Sequence, residues 1–182
     1  MSARIVIVSG SPGTGKTSIS QVLTEKSLYN RAVHIQVDDF WQCIRKGYIH
    51  PWLNDSVDQN ETVMKAVAAC AAKFSKGGYE VFVDGVLGPW FLKPWIKIAK
   101  KGVDVRYIIL RPDEDTTVFR AAKRPQREQF PLDAEIVKDV WSGFNNLGKY
   151  ESHVLDTTGQ SIEESTEIIQ TMLHGNNYRI YV

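Results

Sequence analysis

The sequence has few cysteines and almost no excess charge of either sign. Only two of its 182 residues are cysteine, Cys43 and Cys70, and their spacing fits no metal site. So few thiols favour a reducing, cytoplasmic setting in which both serve as small apolar side chains. The 22 basic and 21 acidic residues leave a formal net charge of +1, without the basic excess typical of nucleic-acid and membrane surfaces. We therefore expect a small-molecule partner, with neither nucleic acid nor membrane.

Long apolar runs are also missing. The first apolar run, residues 5–9, is far shorter than a signal peptide or a membrane span and leads directly into a glycine-rich loop. The length and the 43% hydrophobic content fit one domain over residues 1–182, with enough apolar surface to form its own core. We expect this domain to be cytoplasmic, as either a monomer or a homodimer.

Extended apolar runs alternate with helical patterns along the chain. Strands are predicted at residues 5–9, 33–37, 81–83, 105–110 and 153–155. Helices are predicted at residues 16–25, 61–76, 89–100, 113–123, 133–147 and 161–173. This alternation is typical of an α/β fold with a parallel sheet. The tail, 176–182, is either an added edge strand or a frayed end.

The first predicted strand runs directly into a complete G-x-x-x-x-G-K-T phosphate-binding loop. Its residues are Gly10, Ser11, Pro12, Gly13, Thr14, Gly15, Lys16 and Thr17. The glycines let successive N–H groups point into one concavity at a helix N-terminus. Lys16 brings a positive charge to the β- and γ-phosphates, and Thr17 offers a hydroxyl to Mg²⁺. The motif predicts nucleotide binding, the alternative being a glycine-rich loop of another fold.

Acidic residues follow the second and third predicted strands, where ligands of open parallel sheets collect. Asp38 is our candidate for the base that receives the proton of an acceptor hydroxyl. Since neighbouring strand residues face opposite ways, Asp39 is predicted to cap the next helix or to bind Mg²⁺ through water. Asp84 closes the third strand as a Walker-B-like carboxylate for Mg²⁺ or the acceptor, and Gly85 leaves room for a ligand. The alternative for all three carboxylates is a turn or capping role.

A basic cluster surrounds the end of the helix predicted at 113–123. Its members are Arg120, Lys123, Arg124 and Arg127. Because Pro125 disfavours helical geometry at the residue before it, the cluster is predicted to belong to a mobile lid. Arginines that close over a triphosphate neutralise the charge of the transferring group. The alternative is an ordinary solvated surface.

Aromatic residues flank both acidic strand ends. They are Phe40, Trp41, Tyr48 and Trp52 after the second strand, and Trp90, Phe91 and Trp95 after the third. Tryptophan combines a large apolar area with one N–H donor, so these rings predict an acceptor pocket for a sugar, an aromatic ring or a hydrophobic alcohol. The alternative is a small core beneath a loop, and some of the rings must pack there because Trp90 and Trp95 cannot share one helical face.

The charge at the acceptor end bears on what the acceptor is. Three carboxylates, those of Asp38, Asp39 and Asp84, would repel a phosphorylated acceptor and favour a neutral or cationic hydroxyl compound. Basic residues nearby in sequence would offset them and keep a nucleotide acceptor open; these are Arg45, Lys46 and Lys93.

Together these features resemble the small-molecule kinases of the P-loop class: shikimate kinase, gluconate kinase, adenylylsulfate kinase and above all chloramphenicol phosphotransferase. The resemblance spans most of the chain and rests on the loop 10–17, the position of Asp38, the basic segment 120–127 and the segment 155–159. The segments 38–41, 47–53 and 84–86 are also similar to those of a group of uncharacterised bacterial ATP-binding kinases.

The resemblance implies a three-layer P-loop nucleoside triphosphate hydrolase fold. Its five-stranded parallel sheet would have the order 2-3-1-4-5, with helices on both faces and a short lid. ATP and Mg²⁺ would be the cofactors, with Ser18 near the α-phosphate and adenine between Arg120 and the loop 157–160, which includes Thr157. The paired arginines and triple glycine that hold the acceptor of shikimate kinase have no counterpart here, so that substrate is not assigned.

The function that we expect is transfer of the γ-phosphate of ATP to a hydroxyl of a small molecule. The expected catalytic residues are Lys16, Asp38, Arg120, Arg124 and Arg127. The expected acceptor site comprises Asp38, Asp39, Trp41, Trp52, Asp84, Gly85 and Trp90, and the expected metal ligands are Thr17 and Asp84. A nucleoside or nucleotide kinase is one alternative, and a regulatory ATPase without an acceptor is another. The guanine-binding N-K-x-D motif is not in the sequence, and the chain is too short for an oligomeric ATPase module with its extra helical domain.

Overall fold

Five parallel strands form one sheet in the computed structural model, which describes residues 3–123 and 133–180. The strands are β1 (Ile5–Ser9), β2 (Ala32–Gln36), β3 (Glu80–Gly85), β4 (Val105–Leu110) and β5 (Val154–Leu155). Their order across the sheet is β2-β3-β1-β4-β5, which confirms the predicted order. The carboxyl ends of β1, β2 and β3 therefore lie side by side at one edge of the sheet.

Helices connect these strands. They are α1 (Lys16–Glu25), α2 (Val37–Gln42), α3 (Val57–Lys76), α4 (Lys93–Ala99), α5 (Glu114–Ala122), α6 (Ala134–Ser142) and α7 (Ile162–His174), with 3-10 turns at Asn54–Ser56, Pro89–Phe91 and Gly148–His153. The helix predicted at 89–100 divides because Pro94, which has no N–H, must lie in the first turn of a helix. The helix predicted at 133–147 ends early, and Asn146 beyond it has a φ of 57° in the left-handed region.

Both faces of the sheet are covered, which confirms the three-layer arrangement. On one face Val6, Val8 and Phe82 pack against α1 and α7 through Leu23 and Ile169. On the other face alternate strand residues, among them Ile5, Ile7 and Val83, pack against α3 and α4. Every residue of β1, β3 and β4 is buried, as in sheets that carry helices on both sides. This buried sheet gives the loops at its carboxyl edge a rigid base.

The tail forms an added edge, as one of its two predicted alternatives proposed. The Tyr107 N–H donates to the Tyr178 carbonyl at 2.8 Å, and the Ile180 N–H donates to the Val105 carbonyl at 2.9 Å. These antiparallel bonds cover the first half of β4, where short β5 does not reach. Residues 181 and 182 lie outside the described residues. Among the helices that the structure describes, none has both the length and the apolar character needed to cross a bilayer.

Candidate active site

The loop between β1 and α1 forms a closed phosphate cradle. Gly13 and Gly15 have φ angles of 89° and 88°, which side chains other than glycine rarely adopt. A Cβ at Gly13 would overlap the carbonyl oxygen of Thr117, so the loop rests directly on α5. Buried Lys16 donates from Nζ to the Ser11 carbonyl at 2.7 Å, at the first residue of α1. The ammonium group therefore lies inside the cradle, where the helix N-terminus also attracts anions.

Asp84 lies beside this cradle at the end of β3. Its Oδ2 accepts a hydrogen bond from Thr17 Oγ1 at 2.7 Å, and the residue is only 4% exposed. A P-loop hydroxyl beside a strand-end carboxylate is the donor set that holds Mg²⁺ in P-loop enzymes. The described residues contain no group of three or more His, Cys, Asp or Glu side chains suited to a metal ion. Mg²⁺ usually takes one or two protein carboxylates together with phosphate oxygens and water, so Thr17 and Asp84 fit this ion.

His34 also contacts Asp84, and sequence reasoning missed it. Its Nε2 lies 2.6 Å from Asp84 Oδ1, so the two carboxylate oxygens have two different partners. His34 pairs with Phe82 in the parallel register of β2 and β3, which places it on the same face of the sheet as Asp84, two residues further along. The only signal in the sequence was a polar residue within an apolar strand, and it acquires meaning only when the strand order is known.

A cleft of about 340 Å³ lies on the α7 side of the phosphate loop. Its lining includes Gly13, Thr14, Gly15, Ser18, Arg120, Thr157 and Gln160. The Arg120 guanidinium donates to the Gln160 carbonyl at 3.1 Å and to the Thr157 carbonyl at 3.4 Å. The buried Thr157 hydroxyl has no hydrogen-bond partner among the described residues and borders the cleft. The structure thus brings together the residues that were predicted to surround adenine.

A larger cavity of about 490 Å³ lies on the opposite side of Lys16 and Thr17. Of the residues predicted for the acceptor, Asp38, Trp41, Trp52, Asp84, Gly85 and Trp90 line it. Asp39 does not line it, and the prediction that Asp39 caps a helix is wrong. Both aspartates lie in the first turn of α2, whose N-cap is Gln36 and has no side-chain cap. Negative charge is favourable in that turn, which explains why a helix begins where a strand end was expected.

Gly85 lines the cavity and also lies directly against α2. A Cβ on Gly85 would lie 2.8 Å from the Cβ of Val37, so the Val37 side chain packs against this glycine. The missing side chain lets the first residue of α2 approach the end of β3. This close approach brings Asp38 to the same cavity as Asp84.

The aromatic residues divide between the cavity wall and the core. Trp95 is fully buried and packs in the core, whereas Trp52 is 39% and Trp90 57% exposed at the cavity. Trp41 is buried in the core and also lines the cavity. Its Nε1 donates to Asn60 Oδ1 at 3.1 Å. Asn60 also donates to the Pro51 carbonyl at 2.7 Å and thereby fixes the loop that carries Trp52.

The far wall of the cavity comes from α6, which sequence reasoning did not assign to the site. Ile136, Asp139, Val140 and Gly143 line the cavity, from the first turn of the helix to the residue that follows it. Val86 and Phe91, which follow β3, complete the wall together with Pro12 and Pro51. The helix itself was predictable, but no local signal relates it to the ends of β2 and β3.

The charge of this cavity is mostly negative. Among the described lining residues Lys16 is the only cation, beside the carboxylates of Asp38, Asp84 and Asp139. The basic residues that were predicted to balance these carboxylates, Arg45, Lys46 and Lys93, are not in the described lining. Burial raises the pKa of the Tyr48 hydroxyl, and the nearby charge of Asp38 raises it further. The predicted lid residues Arg124, Pro125 and Arg127 lie outside the described residues.

A phosphate cradle on a parallel sheet of order 2-3-1-4-5, with a strand-end carboxylate beside its threonine, defines a kinase of the P-loop class. Kinases of this class use ATP with Mg²⁺. The chain belongs to the AAA_18 family, described as an AAA domain, whose family model matches residues 6–141. The match includes the carboxyl ends of β2 and β3 and most of α6.

Comparisons with individual proteins agree with this assignment. A cytidylate kinase of Pyrobaculum calidifontis is 26% identical over 172 residues, which are 90% of this chain and 89% of that protein. The tunicamycin resistance protein of Deinococcus radiodurans superimposes with a TM-score of 0.67 at 16% identity, over 94% of this chain and 95% of that one. A gluconokinase from Sinorhizobium meliloti 1021 gives a TM-score of 0.68 at 18% identity, over 94% and 91% of the two chains. At these identities the two structural matches establish the fold.

Proposed function

We propose that this kinase transfers the γ-phosphate of MgATP to a hydroxyl group of a small molecule bound in the 490 Å³ cavity. One observation carries the proposal: the phosphate-binding Lys16 and the carboxylate of Asp38 line the same cavity. An acceptor in this cavity would contact the base on one side and the γ-phosphate on the other. The size of the cavity is within the range of small-molecule sites.

In the proposed reaction the acceptor oxygen attacks the γ-phosphorus, and the bond from that phosphorus to the β,γ-bridging oxygen breaks. ADP leaves with the electron pair of that bond, and the hydroxyl proton passes to Asp38. Lys16 and the N-terminus of α1 stabilise the charge on the phosphate oxygens. Arg120 adds positive charge at the 340 Å³ cleft, where we place adenine, and we assign to Arg124 and Arg127 the neutralisation of phosphate charge. Thr17 and Asp84 would hold Mg²⁺, which would supply positive charge to the phosphate oxygens.

The walls of the cavity support an acceptor without a phosphate group. Most of the described lining is aromatic or aliphatic, and its carboxylates outnumber its one cation. A phosphorylated acceptor would lie near these carboxylates, which repel it. A nucleotide kinase is nevertheless a second candidate, because the similarity to a cytidylate kinase extends over 90% of the chain.

The experiment measures ADP release from MgATP with nucleosides, CMP, sugars, aminoglycosides and aryl alcohols as acceptors. We expect a hydroxyl compound to stimulate the wild type, and Asp38→Asn to lower its kcat by about 10²- to 10⁴-fold while the Kd of MgATP is unchanged. Asp39→Asn is the matched control, since Asp39 is adjacent but outside the cavity. Lys16→Ala should abolish turnover with the fold intact.

The outcomes separate the candidates. Strong stimulation by CMP that survives Asp38→Asn would establish a nucleotide kinase, which needs no hydroxyl base. ATP binding without stimulation by any acceptor would favour a regulatory ATPase and contradict the proposed function.

A further inference from the structure

Helix α6 carries a single carboxylate on the face that it turns to the acceptor cavity. Ile136, Asp139, Val140 and Gly143 line the cavity, and their spacing of i, i+3, i+4 and i+7 places them along one side of the helix. The other three members of this face are apolar or lack a side chain. An aspartate in the middle of such a face indicates a polar group in what the cavity binds.

The Asp139 side chain makes no hydrogen bond or ion pair with the described residues. Its own carbonyl oxygen accepts the Gly143 N–H at 3.2 Å, but the carboxylate is not used by the helix. The neighbouring Lys138 does not pair with it, since Lys138 Nζ lies 3.6 Å from Glu114 on α5. Asp139 is an exposed residue, so a ligand that covers its carboxylate displaces water from it, which is costly unless the ligand supplies a positive charge.

Trp90 lies next to the same part of α6. Its ring folds over Gly88, where a Cβ would overlap it, and it packs against Phe144 with ring centroids 5.8 Å apart. A Cβ on Gly143 would lie 3.8 Å from the edge of the Trp90 ring, and Gly143 is one helical turn after Asp139. The ring is thus held in place although it is 57% exposed. Trp90 and Asp139 line the same cavity, and an indole and a carboxylate together favour an organic cation, which is attracted by both groups.

We propose that Asp139 and Trp90 form a subsite for an ammonium group, so that the acceptor is an amino alcohol. Its ammonium lies at Asp139 and Trp90, and its hydroxyl lies at Asp38 on the opposite wall. The position of the hydroxyl rests on the proposed function, whereas the ammonium subsite rests on α6 and Trp90 alone. The aliphatic residues of the same wall contact the carbon skeleton between the two groups.

The experiment uses two pairs of alcohols that differ only in charge. They are 2-amino-1-phenylethanol with 1-phenylpropan-1-ol, and choline with 3,3-dimethylbutan-1-ol. Isothermal titration calorimetry of the full chain, saturated with a non-hydrolysable MgATP analogue, gives the Kd of each compound at pH 7. We expect the ammonium member of at least one pair to bind about tenfold more tightly than its neutral isostere.

Asp139→Asn should remove this preference, and Trp90→Leu should weaken it while Trp90→Phe retains most of it. Glu135→Gln is the control for net charge, because Glu135 is exposed on the same helix and does not line the cavity. The Kd of the MgATP analogue should be the same in all four variants. The proposal is overturned if the ammonium compounds bind no more tightly than their isosteres, or if the preference persists in Asp139→Asn. Weaker binding of the MgATP analogue to Asp139→Asn would also overturn the proposal, since Asp139 would then serve nucleotide binding.

ADP release with the same compounds distinguishes this proposal from the proposed function. If only neutral alcohols stimulate turnover, the proposed transfer to a hydroxyl is supported and the ammonium subsite is contradicted. If the ammonium compounds bind through Asp139 but no alcohol stimulates turnover, the subsite is supported and the proposed reaction is contradicted.

Discussion

His34 Nε2 lies 2.6 Å from Oδ1 of Asp84, whose second oxygen accepts the hydrogen bond from the phosphate loop. The contact joins β2 to β3 at the edge of the sheet where Asp84 meets the phosphate loop. A carboxylate that is hydrogen-bonded at both oxygens keeps one orientation. Residues that contact a metal ligand, but not the metal, commonly fix the orientation of that ligand in this way. His34 is therefore suited to position Asp84 for Mg²⁺ without contact to the nucleotide.

His34→Ala should weaken MgATP binding by about 10- to 100-fold, because Asp84 would lose the partner that fixes its rotamer. Binding of ATP in EDTA should change much less, since no metal is then involved. Isothermal titration calorimetry in Mg²⁺ and in EDTA measures both values. His34→Gln, which can still donate an N–H, should recover part of the affinity. An equal loss in the two buffers would show that His34 supports the fold rather than the metal site.

Asn60→Ala should destabilise the protein and loosen the acceptor site together. The change removes the partner of the buried Trp41 N–H and one of the two hydrogen bonds to the Pro51 carbonyl, the other coming from Ser56. We expect the free energy of unfolding to fall by about 1–3 kcal/mol and the KM of the acceptor to rise more than that of ATP. Urea denaturation and steady-state kinetics test the two parts. Gln21→Ala removes an exposed side-chain amide on α1 and is the control, because it should change the free energy of unfolding and the KM of the acceptor only slightly.

Arg120→Ala should raise the Kd of ATP by about tenfold, since the guanidinium that links α5 to the loop at Thr157 and Gln160 borders the 340 Å³ cleft proposed for adenine. Arg120→Lys should restore little, because an ammonium group lacks the planar fork of the guanidinium. Fluorescence titration with a labelled ATP analogue gives the affinities. Arg31→Ala, which removes an exposed arginine outside both cavities, is the control. Wild-type affinity in Arg120→Ala would contradict this role.

Asp104 should make stability depend on pH in the acidic range. Burial opposes its ionisation, but hydrogen bonds and charges from Arg106 and Arg179 outweigh burial and lower the pKa of Asp104. A carboxylate whose pKa is lower in the folded state stabilises the fold above its unfolded pKa of about 3.9 and loses this contribution as the pH falls through the folded value.

Asp104→Asn should therefore lower the free energy of unfolding at pH 7 by about 1–3 kcal/mol, with a smaller difference below pH 4. Urea denaturation at pH 7, 5 and 3 tests this dependence. The exposed Asp55, changed to Asn, controls for the loss of one negative charge. A difference that is constant with pH would mean that packing rather than the charge of Asp104 matters.

The parts of the fold that follow from local pattern were predictable. The bounds of β1, β4 and α1 agree with the prediction because each combines a strong apolar period with a clear end. Helix α2 was missed, since it has six residues and continues the apolar run of β2 without a break. A parallel sheet brings its carboxyl ends together, so Asp38 and Asp84 were predictable as neighbours. His34 and Asp139 were not, because their places depend on strand order and on how α6 packs.

Besides α2 and the end of β3, three segments that are separate along the chain line the larger cavity: the loop before α3, the turn after β3, and α6. The phosphate cradle shares only Pro12, Lys16 and Thr17 with that cavity. On the proposed function, random mutagenesis confined to Trp52, Val86, Trp90, Ile136 and Val140 should therefore alter which acceptor is used while the phosphate loop is left unchanged. The same scaffold is thus a suitable starting point for the directed evolution of kinases with new acceptors.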